Sequence, residues 1–159
     1  MRFLLVGLVL IPTLAILSCD AGKPCRTICD SPPDGEIILF DDFKDMPLIT
    51  DPATIGDVRI EGDIIYLSVG FSGCTRDHDF ALYGLTGFME SYPVQAAVYL
   101  SHDGKGEVCD AYFIKELRFD LTPLRCEYQR SYGPHGPVRL RLYAPGARDL
   151  VEPLPVYNF

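Results

Sequence analysis

From Glu36 onward the chain is a succession of short apolar alternations, spaced roughly ten residues apart and punctuated by Gly, Pro and Asp. An alternation of period two lays one face of an extended strand on a core, and breakers at this spacing leave little room for helices between strands. The pattern predicts an all-β chain: an antiparallel β-sandwich, immunoglobulin-like in outline, of about seven strands with one short helix.

The first strand is "EIILF", Glu36 to Phe40, and "DVRIEGDIIYLSVGFS" holds two more around a hairpin turn at Glu61-Gly62-Asp63. Strands follow at His78 to Leu85, Pro93 to His102, Val108 to Leu121 and Gly136 to Ala144, with "PVYNF" as an edge strand at the end. Their Val, Ile and Tyr usage suits a pleated surface. The helical segment is "TPLRCEYQRSYG", with Thr122 as cap, Pro123 in the first turn, Gly133 as terminator, and Leu124, Tyr128 and Ser131 on one face.

The chain opens "MRFLLVGLVLIPTLAILSC", one basic residue and then an apolar run from Phe3 to Leu17 that is short for a membrane span. Such a segment is an export signal. Its end, Ile16-Leu17-Ser18-Cys19, resembles a bacterial lipobox, although Leu17 stands where alanine or serine is commoner. The resemblance implies cleavage before Cys19 and its lipidation, with ordinary secretion as the alternative. Several acyl chains hold a protein on a bilayer, because each buried methylene contributes about 0.8 kcal/mol. The expected organisation is a signal peptide over 1–18, a lipidated tether over 19–35 and a single β-sandwich domain over 36–159, on the extracytoplasmic side of the cell envelope. Cys25 and Cys29, in the tether, could close a small loop or join the tether to the domain in an oxidising compartment.

With 14 Lys and Arg against 22 Asp and Glu, the chain has a net charge of −8 and no basic block. Nucleic acid, whose binding rests on releasing counterions from phosphates, is therefore not an expected partner, and anionic lipid heads are poor ones on the same charge grounds. The expected partners are the membrane, through the lipid, and an envelope protein.

One stretch carries most of the chemistry: "FSGCTRDHDFALYG", Phe71 to Gly84. If the strands run up and down, Cys74, His78, His102 and Cys109 fall at one end of the domain. Alternation then turns His78 inward with Phe80 and Leu82, His102 with Val98 and Leu100, and Cys109 with Ala111 and Phe113. In an exported chain the first reading is a disulfide from Cys74 to Cys109, with both histidines hydrogen-bonded at the rim of the core. The alternative is a tetrahedral zinc site made by Cys74, His78, His102 and Cys109. A hydrolase dyad of Cys109 and His102 ranks below both, since a disulfide-prone thiol makes a poor nucleophile. "DGKGEVCD", Asp103 to Asp110, lacks ligands a calcium loop needs and reads as a hairpin turn. His135 reads as solvent-exposed, and Asp77, Asp79 and Asp110 as solvated acids.

"FSGCTRDHDFALY" followed by "ESYPVQAAVYLSHDGKGEVCDAYFIKELRFDLTPLRCEY" resembles a group of bacterial envelope lipoproteins of no established activity. Their pattern is Cys-x-x-x-His-x-Phe, a "PVQ" strand, an "HD" turn followed by a cysteine, and "FDL-x-PL". Cys74, His78, His102, Asp103, Cys109 and Asp120 match it; Cys25, Cys29 and Cys126 do not. The chain also looks distantly like the C-terminal β-sandwich of NigD-like lipoproteins. The resemblance implies a lipoprotein and a sandwich, and supplies no reaction. The expectation is a non-catalytic binding or scaffolding module without a cofactor. The alternatives are a zinc-binding module and an envelope enzyme acting through His78 or His102.

Overall fold

The hairpin expected around Gly62 forms. Strands β3 (Thr54–Glu61) and β4 (Ile64–Gly73) pair antiparallel with Glu61 opposite Ile64. Gly62 between them has φ +59°, a left-handed conformation that costs glycine no Cβ clash. The computed structural model describes residues 33–146 and 149–159. The leader, Cys19, Cys25 and Cys29 lie outside the described residues.

Seven further strands and one helix complete the described part: β1 (Gly35–Glu36), β2 (Ile38–Phe40), β5 (Asp79–Met89), β6 (Val94–Asp103), β7 (Ala111–Asp120), α1 (Thr122–Ser131), β8 (Pro137–Tyr143) and β9 (Val156–Asn158). They form a four-stranded sheet in the order β1-β7-β4-β3 and a five-stranded sheet in the order β2-β5-β6-β8-β9. The all-β sandwich with one short helix is as expected. The described residues hold nine strands where the sequence suggests about seven: the single strand expected over Glu36–Phe40 is divided at Ile37 between β1 and β2, which belong to different sheets, and the expected edge strand forms as β9.

The sheets are mixed, not purely antiparallel. β1 runs parallel to β7, β2 to β5 and β6 to β8. The β6–β8 pair is parallel because the chain leaves the five-stranded sheet to make β7 and α1 before it returns, and so re-enters in the same direction. β1 and β2 belong to different sheets and are separated only by Ile37, which is 1% exposed. That residue carries the chain from one layer to the other and buries its side chain in between.

Alternation sets the core as expected. Leu67, Val69, Phe71, Leu117 and Phe119 of one sheet meet Leu82, Val98, Leu100, Leu140 and Leu142 of the other, all buried. Each such side chain contributes about 1.5–3 kcal/mol by leaving water. Helix α1 adds buried Leu124 and Tyr128, while Ser131 is exposed. Its start differs from expectation. Leu121 is the cap residue, and the Asp120 carboxylate accepts the Thr122 amide at 2.8 Å, so Asp120 does the work expected of Thr122.

Candidate functional site

β5 begins, and β6 ends, at one edge of the sandwich, with Asp79 opposite Asp103 and Phe80 opposite His102. The next four residues turn the chain. The Glu107 amide donates to the Gly104 carbonyl at 3.0 Å, and Lys105 and Gly106 between them have φ of 56° and 69°. Two successive left-handed residues make a tight turn, but β6 and β7 belong to different sheets, so it links the two layers and is not the hairpin turn expected of this stretch. That turn delivers Glu107 and Cys109 to the loop containing Cys74. The sulfurs of Cys74 and Cys109 are 2.01 Å apart, a disulfide joining residues separated by 35 in sequence.

Counting strands thus places Cys74, His78, His102 and Cys109 together, as the structure does, but their surroundings divide. His78 and His102 are 3% and 1% exposed. Cys74 and Cys109 are exposed, and Cys109 precedes β7 instead of lying in it, so its expected inward orientation is corrected. The alternation does not reach Cys109, because β7 starts two residues later at Ala111. A tetrahedral zinc site from the four residues would need two separate thiolates, whereas here both sulfurs are committed to one bond. The Cys109–His102 dyad loses its thiolate for the same reason.

The two imidazoles form a continuous polar chain through the rim of the core. Nδ1 of His102 donates to the Asp51 carbonyl at 3.1 Å, and Nε2 of His102 lies 2.9 Å from Nδ1 of His78. Nε2 of His78 then reaches Oε2 of Glu107 at 3.0 Å. The same carboxylate accepts the amides of Cys74 and Thr75 and the Thr75 hydroxyl. His78 and these donors hold the Glu107 carboxyl at about 2, well under the ordinary 4.5. Burial pushes His102 below the usual imidazole value, against the upward pull of the Asp51 carbonyl.

Aromatic rings close the apolar side. Phe80 stacks on His102 with centroids 4.6 Å apart and planes 7° from parallel, and Phe71 sits 4.6 Å from His78. Gly73 has no side chain because none fits: a Cβ there would come within 2.5 Å of the His78 ring. Every ring nitrogen of the pair is occupied by another group of the protein. The histidine-dependent enzyme expected as an alternative requires an open imidazole, and neither ring provides one. Glu107, Asp51 and Thr75 escape a reading by alternation because they lie in turns and loops. The "HDGKGE" turn, which folds Glu107 back toward the strand ends, is the signal that could have found the first of them.

A second feature lies on the outward face of the five-stranded sheet. Tyr99 on β6 is in register with Tyr143 on β8, and their rings stack 4.8 Å apart at 11°. Phe43, from a single 3-10 turn at Phe43–Asp45, comes within 5.1 Å of Tyr99. The chain then runs on as a strap whose residue Thr50 bridges His102 in parallel; the Ile49 amide donates to Ser101 Oγ at 2.9 Å. Between strap and tyrosines is an open groove of about 630 Å³, lined by Phe43, Lys44, Leu48, Thr50, Tyr99 and Tyr143 among others. His102 belongs to both features, since its ring holds the strap at Asp51. Among the described residues no group of three or more His, Cys, Asp or Glu is arranged to hold a metal ion. Cys126 is free and exposed, and His135 is exposed as expected.

No family model matches this chain, and no curated protein matches it. Solved structures do. A NigD-like immunity protein from Bacteroides caccae superposes with a TM-score of 0.55 at 13% identity, over 78% of this chain and 63% of that one. A candidate lipoprotein from Bacteroides fragilis gives 0.50 at 14% identity, over 80% of this chain and 70% of that one. The chain thus spans less than two thirds of the NigD-like protein's length. At these identities the likeness is one of fold, and it agrees with the NigD-like sandwich that the sequence resembles.

Proposed function

We propose that this protein is a lipid-anchored module of the bacterial cell envelope that binds a protein partner and catalyses no reaction. The observation that carries the reading is a contrast between the two features. The histidine and cysteine end is closed, its sulfurs bonded and its ring nitrogens taken up inside the protein. The outward groove is open, and it presents stacked tyrosines, Phe43 and a lysine on the five-stranded sheet. Its volume lies within the range of ligand-binding clefts, and aromatic rings with polar tips are the side chains that dominate binding surfaces. The occupant is an apolar or aromatic side chain of an envelope protein, set against Tyr99 and Tyr143. The leader, the lipobox and Cys19 supply the tether, and the disulfide fits an oxidising compartment. Structural neighbours described as an immunity protein and a candidate lipoprotein are in keeping with such a role.

Two measurements test it. In cells making the full chain, the mature protein should sediment with membranes and Cys19→Ala should release it to the soluble envelope fraction; equal distribution of both forms would remove the tether. A photo-crosslinking residue at Phe43 should give a discrete adduct that Tyr143→Ala abolishes, whereas the same residue at Arg59, on the other sheet, should give none. Adducts from both positions, or from neither, would contradict the groove as the binding face.

A further inference from the structure

The chain from Asp51 to Glu107 contains three contacts between polar atoms: Asp51 carbonyl to His102, His102 to His78, and His78 to Glu107. Both ends are acceptors. A carbonyl offers no proton, and Glu107, surrounded by an imidazole, two amides and a hydroxyl, is a carboxylate. Each contact needs one proton between its heavy atoms, so the chain needs three. Two neutral imidazoles bring only two N–H groups. If the terminal contacts use both, the remaining nitrogens face each other at 2.9 Å with a lone pair on each, out of water. That arrangement is repulsive, and an unpaired buried polar contact is costly.

We infer that the buried His78–His102 pair holds one proton more than two neutral rings carry, balanced by the Glu107 carboxylate, and that this proton fastens the Ile49–Asp51 strap to β6. Of the two rings, His102 is the neutral one: it is the deeper, and its Nδ1 hydrogen bond goes to an uncharged carbonyl. The strap depends on it through two adjacent links, the Asp51 carbonyl on Nδ1 of His102 and the Asp51 amide on the His102 carbonyl. The other charged groups around this end are accounted for. The Asp51 carboxylate accepts the Gly104 amide at 2.8 Å. Lys105 lies 3.7 and 3.5 Å from Asp77 and Asp79, and Asp103 accepts the Lys105 amide. From the opposite sheet Lys115 sits over Phe80, and Arg76, in the loop after β4, sits over Phe113. None of these comes between the two rings. The consequence is a strap, and with it one wall of the outward groove, whose attachment weakens as the pH rises and the extra proton leaves. The inference holds whatever the groove binds.

The test is a count of ring protons. In the full chain labelled with 15N-histidine, multiple-bond correlation spectra at pH 7 should show one bare nitrogen among the four of His78 and His102, on Nε2 of His102. Raising the pH should produce a second bare nitrogen together with faster hydrogen exchange at the Asp51 amide and a fall in Tm of roughly 5 °C. In Glu107→Gln, which removes the balancing charge, the second bare nitrogen should appear at a lower pH. Two bare nitrogens at pH 7 would overturn the inference, as would an unchanged titration in Glu107→Gln. If that variant does not fold, the count in the parent protein decides alone.

Discussion

Nε2 of His78 stands 3.0 Å from Oε2 of Glu107, although the two residues are 29 apart in sequence and belong to different loops. The carboxylate is held in place by the amides of Cys74 and Thr75, and Cys74 is bonded to Cys109, two residues beyond Glu107. Disulfide, carboxylate and imidazole therefore fasten the same two loops three times over.

Removing the disulfide with Cys74→Ser and Cys109→Ser together frees a loop of 35 residues in the unfolded chain. By chain entropy the stability should fall by about 3 to 4 kcal/mol. Urea unfolding of the double variant checks this, and an unchanged midpoint would mean that the loops are held without the bond.

Acid should reach this end of the fold in a defined window. Glu107 has a folded value near 2 against an ordinary 4.5, so its contribution is present above 4.5 and is lost as the pH falls from there toward 2. His102 is also depressed in the folded state, because burial disfavours its charge, so its contribution is complete above the ordinary imidazole value of 6.5 and declines as the pH falls. The loss of stability between pH 4.5 and 2 should be shallower in Glu107→Gln than in the parent, measured by urea unfolding at a series of pH values.

Gly73→Ala tests the packing of the imidazole. The added methyl would meet His78 at 2.5 Å and the Glu107 carboxylate at 2.9 Å, and neither partner is free to withdraw, since each is hydrogen-bonded. A cost of about 1–3 kcal/mol is expected, as for other overpacked sites, with altered His78 ring resonances. An unperturbed spectrum would place the ring elsewhere.

At the opposite side of the core, Asp63 joins three elements. It accepts Arg125 on both carboxylate oxygens, at 2.7 and 2.6 Å, and the hydroxyl of Tyr157, which is fully buried on β9. Burial and this carboxylate push the Tyr157 phenol far above its ordinary value, so it stays protonated. Asp63→Ala leaves that hydroxyl unpaired and should cost about 1–3 kcal/mol in thermal unfolding, whereas Asp63→Asn, which keeps an acceptor, should cost less.

Much of this architecture is legible in the residues. Period-two alternation marks β3 to β8, Gly62 marks the hairpin, and strand counting brings His78 and His102 to one end. What is hidden is hidden for physical reasons. The strand expected over Glu36–Phe40 divides at Ile37 into two- and three-residue pieces in different sheets, a change of layer that a run of five apolar-rich residues does not announce. Parallel pairing of β6 with β8 depends on where the chain goes between them, which local pattern does not encode. Glu107 and Asp51 act through turn geometry and a backbone carbonyl, and Phe43 meets Tyr99 only because the strap folds back across the sheet. Cys109 lies outside the alternation and is exposed because the strand begins at Ala111.

In the function proposed above, the cysteine and histidine end is a structural fastening and binding takes place at the outward groove. Peptide mapping of the full chain, purified from membranes without reductant, together with its metal content, tests this most directly. The expected result is a linked peptide pair containing Cys74 and Cys109 and no stoichiometric zinc. Free thiols at both positions with about one zinc per chain would contradict it and make the same four side chains a metal site.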